Sequence, residues 1–581
     1  MVPPPRLRRL RLTLLALLVS LAALAWVFVR LSGPAGPAGQ RAAHSIPLTD
    51  VPPWGANFFL HLEVDEWDQR KTVEEAQAAG IRWAKQHFPW YEIQPEPGEY
   101  NWSKFDRIVD LFVSHDIEVI ARLDFPAAWV PSADWVPAEK VGPPNNTPPA
   151  SPELYAEFVR ATVTHFKGRV RFYQIWNEPN LVSEWGLNPR HPVDPAEYAA
   201  LLEAAADAAR DADPDVVILS APLAINNETV DLVGNMSDLD YLRGLYQAGA
   251  AEHFDILSVN AFGLDQAPDD PPAPERLNFR RAELQRAIME DEGDGCKAVW
   301  ANEYGWNAAP PGLDSIWRSV GELKQAAWTV EGVRFAQSQW PWAGVFSIWY
   351  FRHCCQSPDD AVYHFQMLDE GFNRRRLFEA VREAAADPAV AAAGDWAERA
   401  PPVRLGRLTD WAWRWDGTAD ARRRGCRTAF LGEPRTALDA RYIESDVAGA
   451  SLSFAFRGTG IALRVRRGIG AGTLRWRLDG SEDFESSVLQ GPDGWDWLVL
   501  ESALAPGPHE LELEVGAAGG SVAIDGFRVS TDPTADPRRP WLLTLGGLSV
   551  GLLLLAFVDA RAIVRRLDPE DLDAGAAWIT G

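Results

Sequence analysis

Between residues 51 and 386 the chain repeats one unit, a short apolar run followed by an amphipathic stretch at helical spacing. The runs are NFFLHL (57–62), IRWAKQ (81–86), IEVIARL (117–123), VRFYQIW (170–176), VVILS (216–220), FDILSVN (254–260), KAVWANE (297–303) and GVFSIWY (344–350). Short segments this rich in β-branched and aromatic residues read as buried strands. The stretches between them carry helix punctuation: TVEEAQAAG closes on Gly80, SKFDRIVDLFVSHD opens on Ser103, and SPELYAEFVRATVTHFKG runs from Ser151 to Gly168. A strand and then a helix, repeated eight times, is the plan of a (β/α)8 TIM barrel, an α/β fold. An open doubly wound sheet is the runner-up, but the Gly-rich phosphate turn it needs does not follow the first strand.

The rhythm stops on both sides. Residues 31–50 form a Gly/Pro/Ala linker and 387–404 a second one. Beyond it, SLSFAFRG, GIALRVRR, GTLRWRLDG, DWLVLES, HELELEV and GSVAIDGFRVS alternate apolar and polar residues between Gly and Pro turns, so 405–532 reads as an all-β, jelly-roll-like sandwich. At the N-terminus, the uncharged run Leu12 to Val29 follows Arg6, Arg8, Arg9 and Arg11, which predicts a membrane anchor over residues 1–30, with a signal peptide as the competing reading. A second run, Trp541 to Val558, predicts a transmembrane helix over 540–560 and a cytoplasmic tail over 561–581. Both domains then lie outside the cell membrane.

A net charge of −25 argues against a nucleic-acid surface, which needs a concentrated basic patch. The 26 tryptophans include several in predicted loops, Trp90, Trp129, Trp185 and Trp306, where flat apolar faces suit sugar rings. Of the four cysteines, the adjacent Cys354 and Cys355 are placed to form a vicinal bridge, while no paired Cys or His spacing suggests a metal site. No metal or organic cofactor is expected.

A barrel places its chemistry at the C-terminal ends of its strands. Two carboxylates fall there, Glu178 after strand 4 in FYQIWNEPN and Glu303 after strand 7 in AVWANEYGW. Cleaving a glycosidic bond takes one carboxyl to protonate the leaving oxygen and another to attack or stabilise the anomeric carbon, and strands 4 and 7 face one another across the mouth. His61, His87 and Asp124 also lie near strand ends.

The segment YQIWNEPNL, with Asn177, Glu178 and Pro179, resembles the strand-4 motif of the clan A retaining glycoside hydrolases, and HFPWYEIQPEPGEYNWSKFDRIVD resembles the β2 region of their cellulase-like and β-xylosidase-like members. The resemblance runs from about residue 54 to 385. It implies that Glu178 is the general acid/base and Glu303 the nucleophile, that Asn177 reaches a sugar 2-hydroxyl, and that Trp349 forms the aromatic platform of the −1 subsite. Trp185 and Trp306 extend the expected cleft. Two positions depart from the clan's pattern: Lys85 stands where strand 2 commonly supplies an arginine, and Asn260 and Phe262 stand where strand 6 often has His-x-Tyr. The sandwich resembles galactose-binding-like domains through FRGTGIALRVRRG and IDGFRVS, with Trp476, Trp495 and Trp497 as candidate stacking residues. The expected partner is a carbohydrate. The competing reading is a weakened barrel that binds glycans, or a structural envelope protein.

Overall fold

Eight parallel strands close on themselves in the computed structural model, which describes residues 9, 12–21, 46–136, 146–188, 190–227, 234–313, 316–386, 391, 394–397, 400–415, 441–517, 519–530 and 539–564. They are β1 (Trp54–Phe58), β2 (Trp83–Pro89), β3 (Glu118–Asp124), β4 (Phe172–Ile175), β5 (Val217–Leu219), β6 (Ile256–Phe262), β7 (Ala298–Gly305) and β8 (Ala343–Ile348). β1 pairs with both β2 and β8, which closes the barrel and removes every sheet edge. Helices such as Pro152–Phe166, Pro195–Ala212 and Glu322–Gln339 pack outside it. Each strand overlaps its expected run, with β2 continuing to Pro89, β6 to Phe262 and β7 to Gly305, but the first lies earlier, at Trp54–Phe58, and Leu60–Leu62 is a 3-10 turn rather than strand. The turn brings His61 against Gln86 of β2, with 3.0 Å between His61 Nδ1 and Gln86 Nε2.

The bottom of the barrel is filled by a layer of large side chains. Trp83 and Trp300 meet edge to face at 4.9 Å, Phe172 stacks on Trp300 at 5.4 Å, and Ile120, Val217, Ile256 and Val345 complete the layer. The indole N–H groups of Trp83 and Trp300 each find a carbonyl, Trp83 at Pro52 (2.8 Å) and Trp300 at Leu48 (2.9 Å), so their burial is compensated. These tryptophans close the end opposite the strand C-termini.

The C-terminal region forms two antiparallel sheets, as its alternating pattern predicts. One orders the strands Val403–Leu405, Ser451–Gly458, Gly507–Val515, Thr473–Leu478 and Glu485–Val488, and the other is built on Ala412–Trp415, Arg441–Ser445, Val522–Ser530, Gly460–Arg467 and Gly494–Glu501. This domain docks beneath the barrel. Trp413 enters the bottom layer 6.1 Å from Phe172, Arg171 donates to the Trp411 carbonyl at 2.8 Å, and Arg414 pairs with Asp215 at 2.8 Å. Replacing a fully packed indole leaves a cavity, so Trp413→Ala is expected to cost roughly 3–5 kcal/mol. Denaturant titration followed by tryptophan fluorescence reads this as a lowered barrel midpoint; an unchanged midpoint means the sandwich does not support the barrel.

The sandwich tryptophans are not open platforms. Trp476 is a core residue, Trp495 packs on Tyr442 at 5.1 Å, and Trp497 is covered by Arg528 at 4.0 Å. Cys354 and Cys355 are joined as a vicinal disulfide. Of the two expected membrane segments, only residues 9 and 12–21 of the first are described, together with the helix Arg539–Val564; among the described residues no helix is long and apolar enough to cross a membrane.

Candidate active site

At the open end of the barrel, β4 stops at Ile175 and the chain turns out through Trp176, Asn177 and Glu178. Trp176 (φ 67°) and Glu178 (φ 40°) both adopt the left-handed region. Non-glycine residues there cost on the order of 1–3 kcal/mol each and persist only where the surroundings hold them. The surroundings are specific: Glu178 N–H donates to the Pro222 carbonyl at 3.0 Å, Trp176 N–H to Leu123 at 3.1 Å, and the Trp176 indole to Glu184 at 3.0 Å. The two φ reversals place Asn177 and Glu178 at the mouth instead of continuing the strand.

Glu178 and Glu303 occupy different environments. Burial, reinforced by the nearby charges of Glu303 and Glu184, pushes the Glu178 carboxyl up to about 8. Asn260 opposes this by donating from Nδ2 to Glu178 Oε1 at 2.6 Å, a bond that favours the carboxylate. Glu303, buried on β7, instead accepts from the fully buried Lys85 Nζ at 2.9 Å. Burial holds the Lys85 ammonium below its ordinary range, and the Glu303 charge acts against that depression. The two glutamates of one site therefore have different partners: Glu178, which favours its protonated form near neutrality, accepts from an amide, and Glu303 accepts from an ammonium.

A second cation comes from the neighbouring strand. Arg122 of β3 lies 4.0 Å from Glu303 Oε1, binds Asp124 through Nε at 2.5 Å, and donates from Nη1 to His87 Nε2 at 3.3 Å. The β2–β3 register pairs His87 with Arg122, so the guanidinium sits one strand over from Lys85, facing the same interior. Burial, and after it the Arg122 charge, keeps His87 well below the usual histidine range, which leaves it neutral and able to accept this hydrogen bond. Burial raises Asp124 to about 6 against the pull of Arg122. Arg122 escapes the sequence reading; its one signal is a charged residue inside an apolar strand run, at a position whose neighbours alternate inward.

Glu184 is the other residue the sequence does not single out. It lies in a short 3-10 turn after β4, accepts from Asn146, and shares a side-chain hydrogen bond with Asn177. Burial raises its carboxyl, with Arg122 opposing. Asn177 is further fixed by Gln174, whose amide reaches its Oδ1 at 3.5 Å and which accepts from Asn302 at 2.6 Å. Trp349, half-buried at the end of β8, meets Phe59 edge to face at 5.6 Å and borders the same mouth.

The structure therefore brings together Glu178, Glu303, Asn177, Lys85 and Asn260, with Trp349 on the rim. It does not bring Trp185 and Trp306 into the cleft. Both are core residues, with Trp185 bonded to Glu197 at 3.0 Å and packed on Trp176, and Trp306 bonded to the Gln266 carbonyl at 2.7 Å. Trp90 is buried as well, while Trp129 is half-buried. Loop tryptophans here fold back onto helices, which is where most of their apolar area finds cover.

The role of Asn260 can be read from a pH profile. A hydrogen bond to a charged group is worth about 1.5–3 kcal/mol, and 1.36 kcal/mol is one pH unit. Asn260→Ala removes a bond that favours the Glu178 carboxylate, so the alkaline limb of kcat/KM is expected to move up by about one pH unit or more. A limb that stays in place would assign it to another group.

A glycoside hydrolase family 42 model, described as beta-galactosidase, matches residues 61–134. A beta-xylosidase of Geobacillus stearothermophilus is 29% identical over 176 residues, 27% of this chain and 33% of that protein, so the chain spans about a third of the length of the curated relative it matches. Among solved structures, a monomeric beta-xylosidase from Caulobacter crescentus CB15 aligns with TM-score 0.44 and 16% identity over 82% of this chain and 98% of that one. A family 39 glycoside hydrolase from Bacteroides cellulosilyticus WH2 aligns with TM-score 0.44 and 16% identity over 79% and 81%. The family model and the curated relative bear out the resemblance to the clan A glycoside hydrolases.

Proposed function

We propose that this chain is a retaining glycoside hydrolase acting on β-linked O-glycosides, with Glu178 as acid/base and Glu303 as nucleophile. The observation that carries the reading is the opposed setting of the two strand-end glutamates, one raised to about 8 by burial and like charge, the other held by Lys85. In the first step Glu303 attacks the anomeric carbon while Glu178 gives its proton to the leaving oxygen. In the second, water attacks the same carbon, Glu178 takes its proton, and Glu303 leaves as carboxylate. Asn177, fixed through Gln174 and Glu184, is positioned to contact the sugar. Lys85 and Arg122, beside Glu303 Oε1, would stabilise the negative charge that returns to that oxygen as the sugar departs. The buried Asn260 Oδ1 and Asp124 Oδ1 have no hydrogen-bond partner among the described residues, and substrate hydroxyls would satisfy acceptors of this kind.

A panel of aryl β-glycosides tests the reading. The beta-xylosidase relative and the beta-galactosidase family model place β-xylosides and β-galactosides first on it. Hydrolysis of at least one, abolished in Glu303→Gln, supports it; a folded chain inert on the whole panel and on β-linked oligosaccharides supports the glycan-binding alternative.

The proposed setting is a membrane tether with barrel and sandwich outside. Its support is the run of arginines before the first apolar segment, the apolar run near the C-terminus, and the Cys354–Cys355 disulfide, which suits an oxidising compartment.

A further inference from the structure

Two segments far apart in sequence meet. Arg9 and residues 12–21 are helical, and Arg9 and Ser20 contact the helix Arg539–Val564. Ser20 Oγ and Ser549 Oγ are 2.8 Å apart in a buried hydrogen bond, and Arg9 Nε is 3.3 Å from Asp559 Oδ2. Ser20 meets Ser549 and Arg9 meets Asp559, so the pairing moves toward the N-terminus on one segment as it moves toward the C-terminus on the other, and the two contacts fix one antiparallel register.

The faces of this pair are inverted relative to a water-soluble core. On the first helix Leu17 and Ser20 are buried and Thr13 half-buried, at the spacing of a single stripe, while Leu12, Leu15, Leu18 and Val19 are exposed. On the second, Ser549, Ala556 and Asp559 are buried, while Val550, Leu553, Leu554, Phe557 and Val558 are exposed. Proteins in water bury large apolar side chains and seldom expose contiguous apolar surface beyond a few hundred Å². Helices in lipid associate instead through small residues and interhelical hydroxyl bonds, because the surrounding chains solvate leucine as well as a core does. Among the described residues, the exposed apolar side chains lie on all sides of the pair except the mutual contact. A second copy or a folded partner would cover one side, whereas a bilayer covers all of them.

We infer that these two segments form a single antiparallel helix pair that sits in the lipid bilayer, with the N-terminal segment retained as half of the anchor. The inference rests on the tether proposed above and is independent of the enzyme reading. Its polar closure is the Ser20 to Ser549 bond within the apolar zone. Arg9 and Asp559 lie together at one end, with Arg561 beside them in sequence, which is the arrangement the positive-inside rule places at the cytoplasmic face.

The test uses the full chain. On the unsubstituted protein, alkaline carbonate washing of membranes and intact-mass measurement are expected to show the chain in the pellet with residues 1–30 present. In the double variant Ser20→Cys with Ser549→Cys, mild oxidation is expected to give an intramolecular crosslink, seen as a mobility shift that reduction reverses. The outward-facing pair Leu18→Cys with Leu553→Cys is expected to give none. Four results would each overturn the inference: a chain recovered in the soluble fraction, a mature mass lacking the first segment, no crosslink in the membrane-bound Ser20→Cys, Ser549→Cys variant, or crosslinks formed only between chains. The fractionation and the mass need no variant, so they stand if the double variant fails to accumulate. Aryl glycoside hydrolysis, read on the same membranes, succeeds or fails separately.

Discussion

Glu303→Gln is expected to lower kcat/KM on aryl β-glycosides by on the order of 10⁴-fold or more while leaving the fold intact. The amide cannot form the glycosyl intermediate, but its carbonyl oxygen still accepts from Lys85, whose Nζ lies 2.9 Å from Glu303 Oε1 in the native site. Glu303→Ala is a harsher change. It strands a lysine that is fully buried, and breaking one partner of a buried ion pair costs roughly 3–5 kcal/mol. Arg122, 4.0 Å from the same oxygen, would lose a counter-charge too. The expected pattern is therefore equal loss of activity in the two variants but a lowered denaturation midpoint only in Glu303→Ala. A Glu303→Gln enzyme that keeps more than about a tenth of its activity would remove Glu303 from the chemistry.

Glu178→Ala is expected to separate substrates by leaving group. A general acid contributes about 10²–10⁴-fold, and that contribution matters most where the departing alcohol is a poor leaving group. Unactivated alkyl glycosides should lose activity over that range, and aryl glycosides with acidic phenols much less in the first step. The native pH profile carries the same information. Glu178 acts with its proton on, its carboxyl lies at about 8, and kcat/KM should therefore fall as pH rises through that value. In Glu178→Ala this alkaline limb should disappear. Equal losses across leaving groups, with the limb retained, would assign the acid elsewhere, Glu184 being the neighbouring carboxyl.

The repeating strand and helix units made the barrel legible, and with it the ends of β4 and β7, because period and length survive in one dimension. Lys85 and Asn260, within β2 and β6, also reach the site. What one dimension lacks is the neighbour across the sheet. The absent strand-2 arginine looks like a loss until the β2–β3 register shows Arg122 beside His87, facing Glu303 from the next strand. Glu184 was hidden for a similar reason, since only the left-handed turns at Trp176 and Glu178 fold its loop back onto Asn177.

The tryptophans misled in the other direction. Their number suggested a sugar-lined cleft, yet Trp185 and Trp306 serve packing, and Trp83, Trp300 and Trp413 close the opposite end of the barrel. Aromatic content reports apolar area without saying which end of a barrel receives it. The sandwich was legible as alternating strands, whereas its docking depends on Trp413 and Arg414, which sit in a stretch with no distinguishing pattern.

As nucleophile, Glu303 becomes covalently bonded to the sugar. Incubation with 2-deoxy-2-fluoro β-glycosides carrying a good leaving group, followed by proteolysis and mass spectrometry, tests it directly, because the fluorine slows the second step and lets the intermediate accumulate. The predicted result is one fluoroglycosyl adduct on the peptide containing Glu303, absent from Glu303→Gln. An adduct on Glu178, Glu184 or any other residue, or turnover of the parent glycosides with inversion and no adduct, would contradict the account.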